Sequence, residues 1–199
     1  MMRVDQKIII PWIREGARVL DLGCGDGTLL HHLKQQRNID GYGLEIDQVN
    51  IISSIENGAN VIQADLDAGL GKYFEDDTID YVIMTQTLQA IQRPDHLLME
   101  MLRIGREGII TFPNMGHWKS RLHLATKGKM PVTRSLPYEW YNTPNIHLCT
   151  LGDFEDLCRK LNIRILQSSV VNYAQQSSAM IRLWPGLLGE IAIYHITRG

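Results

Sequence analysis

The chain has 199 residues, 44% of them hydrophobic, which is room for one domain with a full core. A formal charge of −2 gives no general attraction to nucleic acid or to an anionic membrane, and no apolar run is long enough to span a bilayer. Cys24, Cys149 and Cys158 are an odd set without close pairing, which argues against a disulfide frame or a zinc site, and the N-terminus lacks a signal-peptide layout. The expectation is a soluble cytoplasmic domain.

In chain order, Ile8, Ile9, Trp12 and Ile13 predict a short helix within 3–16, packed over a sheet edge, with Pro11 breaking its ladder if it lies deep inside. A strand over 18–22 runs into three alternating glycines, then a helix with Leu29, Leu30 and Leu33 on one face. A second strand covers 41–45. Asp47 is placed to cap a helix through Ile51, Ile52 and Ile55, stopped at Asn57-Gly58. Strands over 60–64 and 79–84 follow, then a helix marked by Leu97, Leu98, Met101 and Leu102 and ended by Gly105. A fifth strand at 108–112 is cut by Pro113.

Residues 113–150 break this rhythm with four prolines, several aromatics and three histidines. Trp118, Leu122 and Ala125 share one side of a short helix there. Alternation resumes with a helix over Phe154, Leu157, Cys158 and Leu161, a strand at 163–166 and a last strand at 191–196, which suit an antiparallel hairpin. The expected fold is α/β: a doubly wound, mostly parallel seven-stranded sheet ending in that hairpin. It is one domain over 1–199, with 113–150 as an inserted lid or docking segment.

The chemistry gathers behind Asp21-Leu22-Gly23-Cys24-Gly25-Asp26-Gly27. Glycines let the backbone turn sharply and let a ligand lie against it, beside the positive end of the next helix. A dinucleotide site needs Gly or Ala where Thr28 stands, so that pattern fails. Asp21, Glu45 and Asp65 each follow a predicted strand, and parallel strands bring such residues to one edge. Glu45 is placed to accept from both hydroxyls of a ribose and Ile46 to face a purine. Asp65 suits an exocyclic amine, with the Leu66 N–H on a ring nitrogen. Asp21 suits the ammonium end of a zwitterion.

This half of the chain resembles class I S-adenosylmethionine-dependent methyltransferases. The resemblance implies a site for S-adenosylmethionine or S-adenosylhomocysteine, with the backbone of Gly23, Cys24, Gly25 and Gly27, and of Thr85 after strand four, around the methionine portion. Met84-Thr85-Gln86-Thr87 lacks the Asn/Asp-Pro-Pro-aromatic motif of amino-methyltransferases, and Leu88-Gln89-Ala90 lacks a histidine common in small-molecule members. His117, His123, His147 and Tyr141 are the remaining candidate bases, and no catalytic residue is assigned. Lys119, Arg121, Lys127, Lys129 and Arg134 against Glu139 alone suit an acidic substrate or an acidic protein surface.

Gln86-Thr87-Leu88-Gln89-Ala90, Phe112-Pro113-Asn114-Met115-Gly116-His117-Trp118 and Met130-Pro131-Val132-Thr133 resemble the MetW family of methionine-biosynthesis proteins. So do the stretch from Leu136-Pro137-Tyr138-Glu139-Trp140-Tyr141 through Asn145-Ile146-His147-Leu148-Cys149-Thr150, and Asp153-Phe154-Glu155-Asp156-Leu157-Cys158. That resemblance implies a protein that supports or activates homoserine O-acyltransferase (MetX). The chain has no Gly-x-Ser-x-Gly elbow for acyl transfer of its own. The other reading is a methyltransferase acting on a small, anionic molecule, with 113–150 as its lid.

Overall fold

The structure is a computed structural model that describes residues 2–71, 73–172 and 179–199. Seven strands form one sheet: β1 (Arg18–Leu22), β2 (Asp40–Glu45), β3 (Asn60–Gln63), β4 (Ile79–Thr85), β5 (Gly105–Pro113), β6 (Ile163–Val171) and β7 (Ile191–Arg198). Their order is β3-β2-β1-β4-β5-β7-β6, with β7 antiparallel to both neighbours and the rest parallel. The expected seven-stranded, doubly wound sheet with an antiparallel end is the observed one. Strand order reverses between β1 and β4, and the crevice of such a sheet opens at that point, beyond the carboxyl ends of the strands.

Period-two alternation splits the core into two layers. On one face Leu20, Val82, Met84, Ile110, Phe112 and Tyr194 meet α4 (Pro94–Ile104) and α6 (Leu151–Lys160). On the other, Val19, Tyr81, Ile83, Ile109 and Ile193 meet α1 (Val4–Ile9) and α2 (Thr28–Arg37). The N-terminal helix therefore covers a sheet face, where an edge was expected. Ile9, Ile10 and Ile13 supply a full apolar stripe that only a face can bury. Pro11 lies in the 3-10 turn after α1, where no helical ladder is lost.

Local chemistry sets most boundaries. Asp47 caps α3 (Gln48–Glu56) by accepting from the Asn50 N–H at 2.9 Å. Thr150 and Asp153 form a reciprocal capping box for α6. Gly105 closes α4 and also opens β5, so that strand begins earlier than expected. β6 also runs on past 166, through a bulge between Ile165 and Gln167. In α3, only Ser54 is buried, whereas Val49, Ile52 and Ile55 stay largely exposed. The helix that ends the glycine turn's next unit thus turns its apolar side outward.

Phe112, Phe154 and Tyr194 form one aromatic cluster, with centroids 4.7–5.9 Å apart. It ties α6 to β5 and β7. Phe154→Ala is expected to cost about 3–5 kcal/mol of unfolding free energy in a denaturant titration, since the cavity cannot collapse between two strands.

Candidate functional site

The glycine turn is held by the end of β2. Leu44 O accepts from the N–H groups of Gly23 (2.8 Å) and Cys24 (3.1 Å), and Glu45 Oε2 accepts from Gly25 N–H at 2.9 Å. Glu45 Oε1 accepts from its own chain, at Ile46 and Asp47, both 2.9 Å. A carboxylate offers about four acceptor sites, so this one has about one left. Glu45 is thus a clamp on the loop as well as a group at the crevice.

Positive φ at Gly23, Gly25 and Gly27 makes the turn possible. A Cβ at Gly23 would lie 2.6 Å from Thr87 Oγ1, whereas one at Gly25 would meet nothing within 4 Å and would stand in the open space of the crevice. That space is a cleft of about 440 Å³, within the range of small-molecule sites. Gly23, Gly25, Glu45, Ile46, Asp65 and Leu66 all line it. Ile46 is exposed along it, and Asp65 caps a short 3-10 turn by accepting from Asp67 N–H at 2.9 Å.

The other expected site residues sit behind this lining. Cys24 packs against Gly43 and lies 3.8 Å from Ser54 Oγ, and burial raises its thiol to about 12, so it is an inert core thiol. Gly27 backs onto Ser54 and Ala59. Thr85 is buried and presents its carbonyl to Arg3 Nη2 and Thr87 Oγ1, both at 3.4 Å. Asp21 is 1% exposed beneath the loop, and its Oδ1 has no hydrogen-bond partner. Burial pushes Asp21 up to about 7, opposed by Arg3 and reinforced by Glu45.

Sequence reasoning missed three contributions. Arg3 bridges to Asp5 (3.3 Å), which is fully buried and accepts from Thr111 Oγ1 at 2.7 Å, so α1 brings a polar network to the β4 and β5 ends. Gln86, Thr87, Ala90 and Ile91 form the wall after β4. The third is the return leg of the 113–150 segment. Ile146 and His147 both donate to Gln89 O (2.8 and 2.9 Å), which brings Pro144 and Asn145 onto the crevice. Two polar residues standing directly after a strand, Gln86-Thr87, were the available signal for the wall; nothing local signals the other two.

The candidate bases do not gather there. His147 Nε2 lies 3.2 Å from Gln92 O, His117 is buried with its imidazole pushed down by burial, and Tyr141 is exposed. None of these, nor His123, lines the crevice. The helix α5 (Trp118–Lys127) buries only Ser120, so the side carrying Trp118, Leu122 and Ala125 faces outward.

A family model described as "Methionine biosynthesis protein MetW" matches residues 3–196. The chain belongs to the MetW family. It is 39% identical over 173 residues to the "Bifunctional methionine biosynthesis protein MetXA/MetW" of Rhodopirellula baltica, covering 82% of this chain. The chain spans 28% of that relative's length. Its fold is similar to that of an S-adenosylmethionine-dependent methyltransferase from Mesorhizobium loti (TM-score 0.71, 16% identity, 98% of each chain). It is also similar to the plantazolicin methyltransferase BpumL in complex with SAH (TM-score 0.65, 15% identity, 98% of this chain and 81% of that one). The chain therefore has the class I methyltransferase fold. Among the described residues of this MetW chain, no helix is long and apolar enough to cross a membrane.

Two consequences of the loop geometry can be measured. Asp21's ordinary value is 3.8, so its contribution to stability is full below that pH and is lost as pH rises through about 7. Asp21→Asn is therefore expected to stabilise the unliganded protein above pH 7 by up to about 4 kcal/mol, a difference that closes near pH 4 in urea titrations. Gly23→Ala is expected to lower Tm, because it adds both a left-handed strain and a clash with Thr87.

Proposed function

We propose that this MetW chain binds S-adenosylmethionine or S-adenosylhomocysteine in the crevice and supports a homoserine O-acyltransferase of the MetX type. The observation that carries the first half is the cradle itself: an open glycine loop facing the apolar Ile46 and Leu66, with Glu45 and Asp65 at the ends of adjacent strands. These fit an adenosyl group. Ile46 and Leu66 flank the purine, Asp65 accepts from its exocyclic amine, and Glu45 spends its remaining acceptor site on the ribose. Asp21, orphaned and partly protonated near neutral pH, regains its charge beside the ligand's ammonium group. The ligand's sulfonium supplies an activated methyl group when bound; this chain's own residues bind and orient it.

The second half rests on the fused MetXA/MetW relative and on the surface of 113–150. Trp140 and Tyr141 are exposed there, in a segment that also carries five Lys and Arg residues, and Trp, Tyr and Arg are the residue types that anchor interfaces. The same segment walls the crevice at Pro144 and Asn145 and is pinned to Gln89 just beyond them, at Ile146 and His147. Ligand and partner therefore meet one continuous strap, and a ligand that prefers one strap placement shifts the partner's affinity. The absence of the candidate bases from the crevice lining favours this reading over methyl transfer to a small anionic acceptor. A cytoplasmic setting belongs to the same reading.

S-adenosylhomocysteine at a hundred times its Kd should stabilise the wild type by about 2.7 kcal/mol. Glu45→Ala should abolish that shift and also lower the unliganded Tm, since it frees the loop; an equal response in both proteins overturns the ribose assignment. Adding the chain to a homoserine O-acyltransferase should raise the acyl-transfer rate without methyl incorporation into any small molecule. Trp140→Ala with Tyr141→Ala should weaken that complex at least about tenfold in a titration of the two proteins.

A further inference from the structure

Gln86 stands out on two independent counts. Its backbone is left-handed, with φ of 60°, directly after β4. The other non-glycine residues with positive φ among the described residues are Asn38, Asp77 and Asn162, the types that enter this region readily. Gln86 is not one of them, and its N–H is bound to Thr111 O at 2.8 Å, so the neighbouring strand holds the strained conformation in place. Gln86 is one of the residues lining the crevice, and its side-chain Nε2 is buried and without a hydrogen-bond partner. Strain and an orphaned donor at one residue both cost stability, and such costs gather where a ligand is read.

The charge around it says which part of a ligand that donor serves. Glu45, Asp65 and Asp67 line the crevice, and among the described residues no Lys, Arg or His does. An adenosyl group and an ammonium tolerate that field, but a carboxylate needs a donor to enter it. Arg3 donates through Nε and Nη2 to Asp5 and Thr85 O and does not line the crevice. Asp21, whose strand pairs with β4, offers an acceptor for the ammonium. Gln86 Nε2 offers the complementary donor.

We propose that the Gln86 side-chain amide donates to the carboxylate of an adenosyl amino acid, so that this residue selects ligands carrying the whole amino-acid tail over adenosyl thioethers that lack it. The assignment rests on the crevice being the adenosyl site proposed above, and it is tested by two ligands that differ only in the tail. S-adenosylhomocysteine has the tail; 5′-methylthioadenosine keeps the adenosine and the thioether sulfur without it. Isothermal titration of both against wild type, Gln86→Met and Gln86→Glu separates the outcomes. Losing a hydrogen bond to a charged group is expected to weaken S-adenosylhomocysteine about ten- to a hundred-fold in Gln86→Met while 5′-methylthioadenosine stays within twofold. The near-isosteric Gln86→Glu should weaken S-adenosylhomocysteine further still.

Unchanged S-adenosylhomocysteine affinity in Gln86→Met overturns the proposal. So does equal weakening of both ligands, which is a structural effect, or tighter S-adenosylhomocysteine binding by Gln86→Glu, which places the ammonium at this side chain. Wild type binding both ligands equally well would overturn the role of Gln86 and leave the adenosyl site standing. Wild type binding neither would remove both.

Discussion

The crevice depends on one carboxylate. Glu45 ends β2 and accepts the N–H of Gly25 from the neighbouring strand's loop, together with two N–H groups of its own chain. The three glycines of the turn have no side chains with which to fix it, and their left-handed backbone is one that glycine enters freely and also leaves freely. Leu44 O and Glu45 remove that freedom from outside. Because β1 and β2 are adjacent and in parallel register, the clamp and the loop meet without any intervening segment. The same group is then left at the crevice wall, so loop order and the crevice lining meet in one side chain.

Behind the loop lies an unusual amount of buried polarity. Asp5, Asp21, Thr85, Thr111 and Gln89 are all buried near the carboxyl ends of β1, β4 and β5, in a core otherwise built of aliphatic and aromatic side chains. Part of this is satisfied internally, by Arg3 on Asp5 and Thr111 on Asp5. Part is not: Asp21 Oδ1, Gln86 Nε2 and Gln89 Oε1 are without partners. A fold selected for stability alone would replace such groups with apolar ones of the same shape. Their position at the point where strand order reverses matches a site whose requirements outrank packing.

The 113–150 segment belongs to this site at one end only. Asn114 locks its start by donating to Gly186 O and Gly189 O while accepting from Gly116 N–H. Gln89 anchors its return, accepting from Ile146 and His147 and donating to Pro113 O. Between these anchors α5 and the Trp140–Tyr141 turn stand out from the domain with their aromatic and basic residues exposed. The crevice wall and the exposed aromatic surface thus fall on different parts of the segment.

Much of this was legible from the residues alone. Alternating apolar runs, the Asp47 cap and the three glycines located all seven strands and the carboxylates at the carboxyl ends of β1, β2 and β3, because these signals are local and their spacing is set by backbone geometry. The pairing of α1 with a sheet face, the outward side of α3 and the commitment of Glu45 to the loop were not legible. Each depends on which distant surface a residue meets, and an amphipathic helix or a free carboxylate reads the same whatever covers it. Only the tertiary structure brought Arg3 and Asp5 to the strand ends and wrapped Pro144 and Asn145 onto the crevice. It also left Gln86 strained, with its Nε2 unpartnered, since the pairing of β4 with β5 decides that backbone from outside its own sequence.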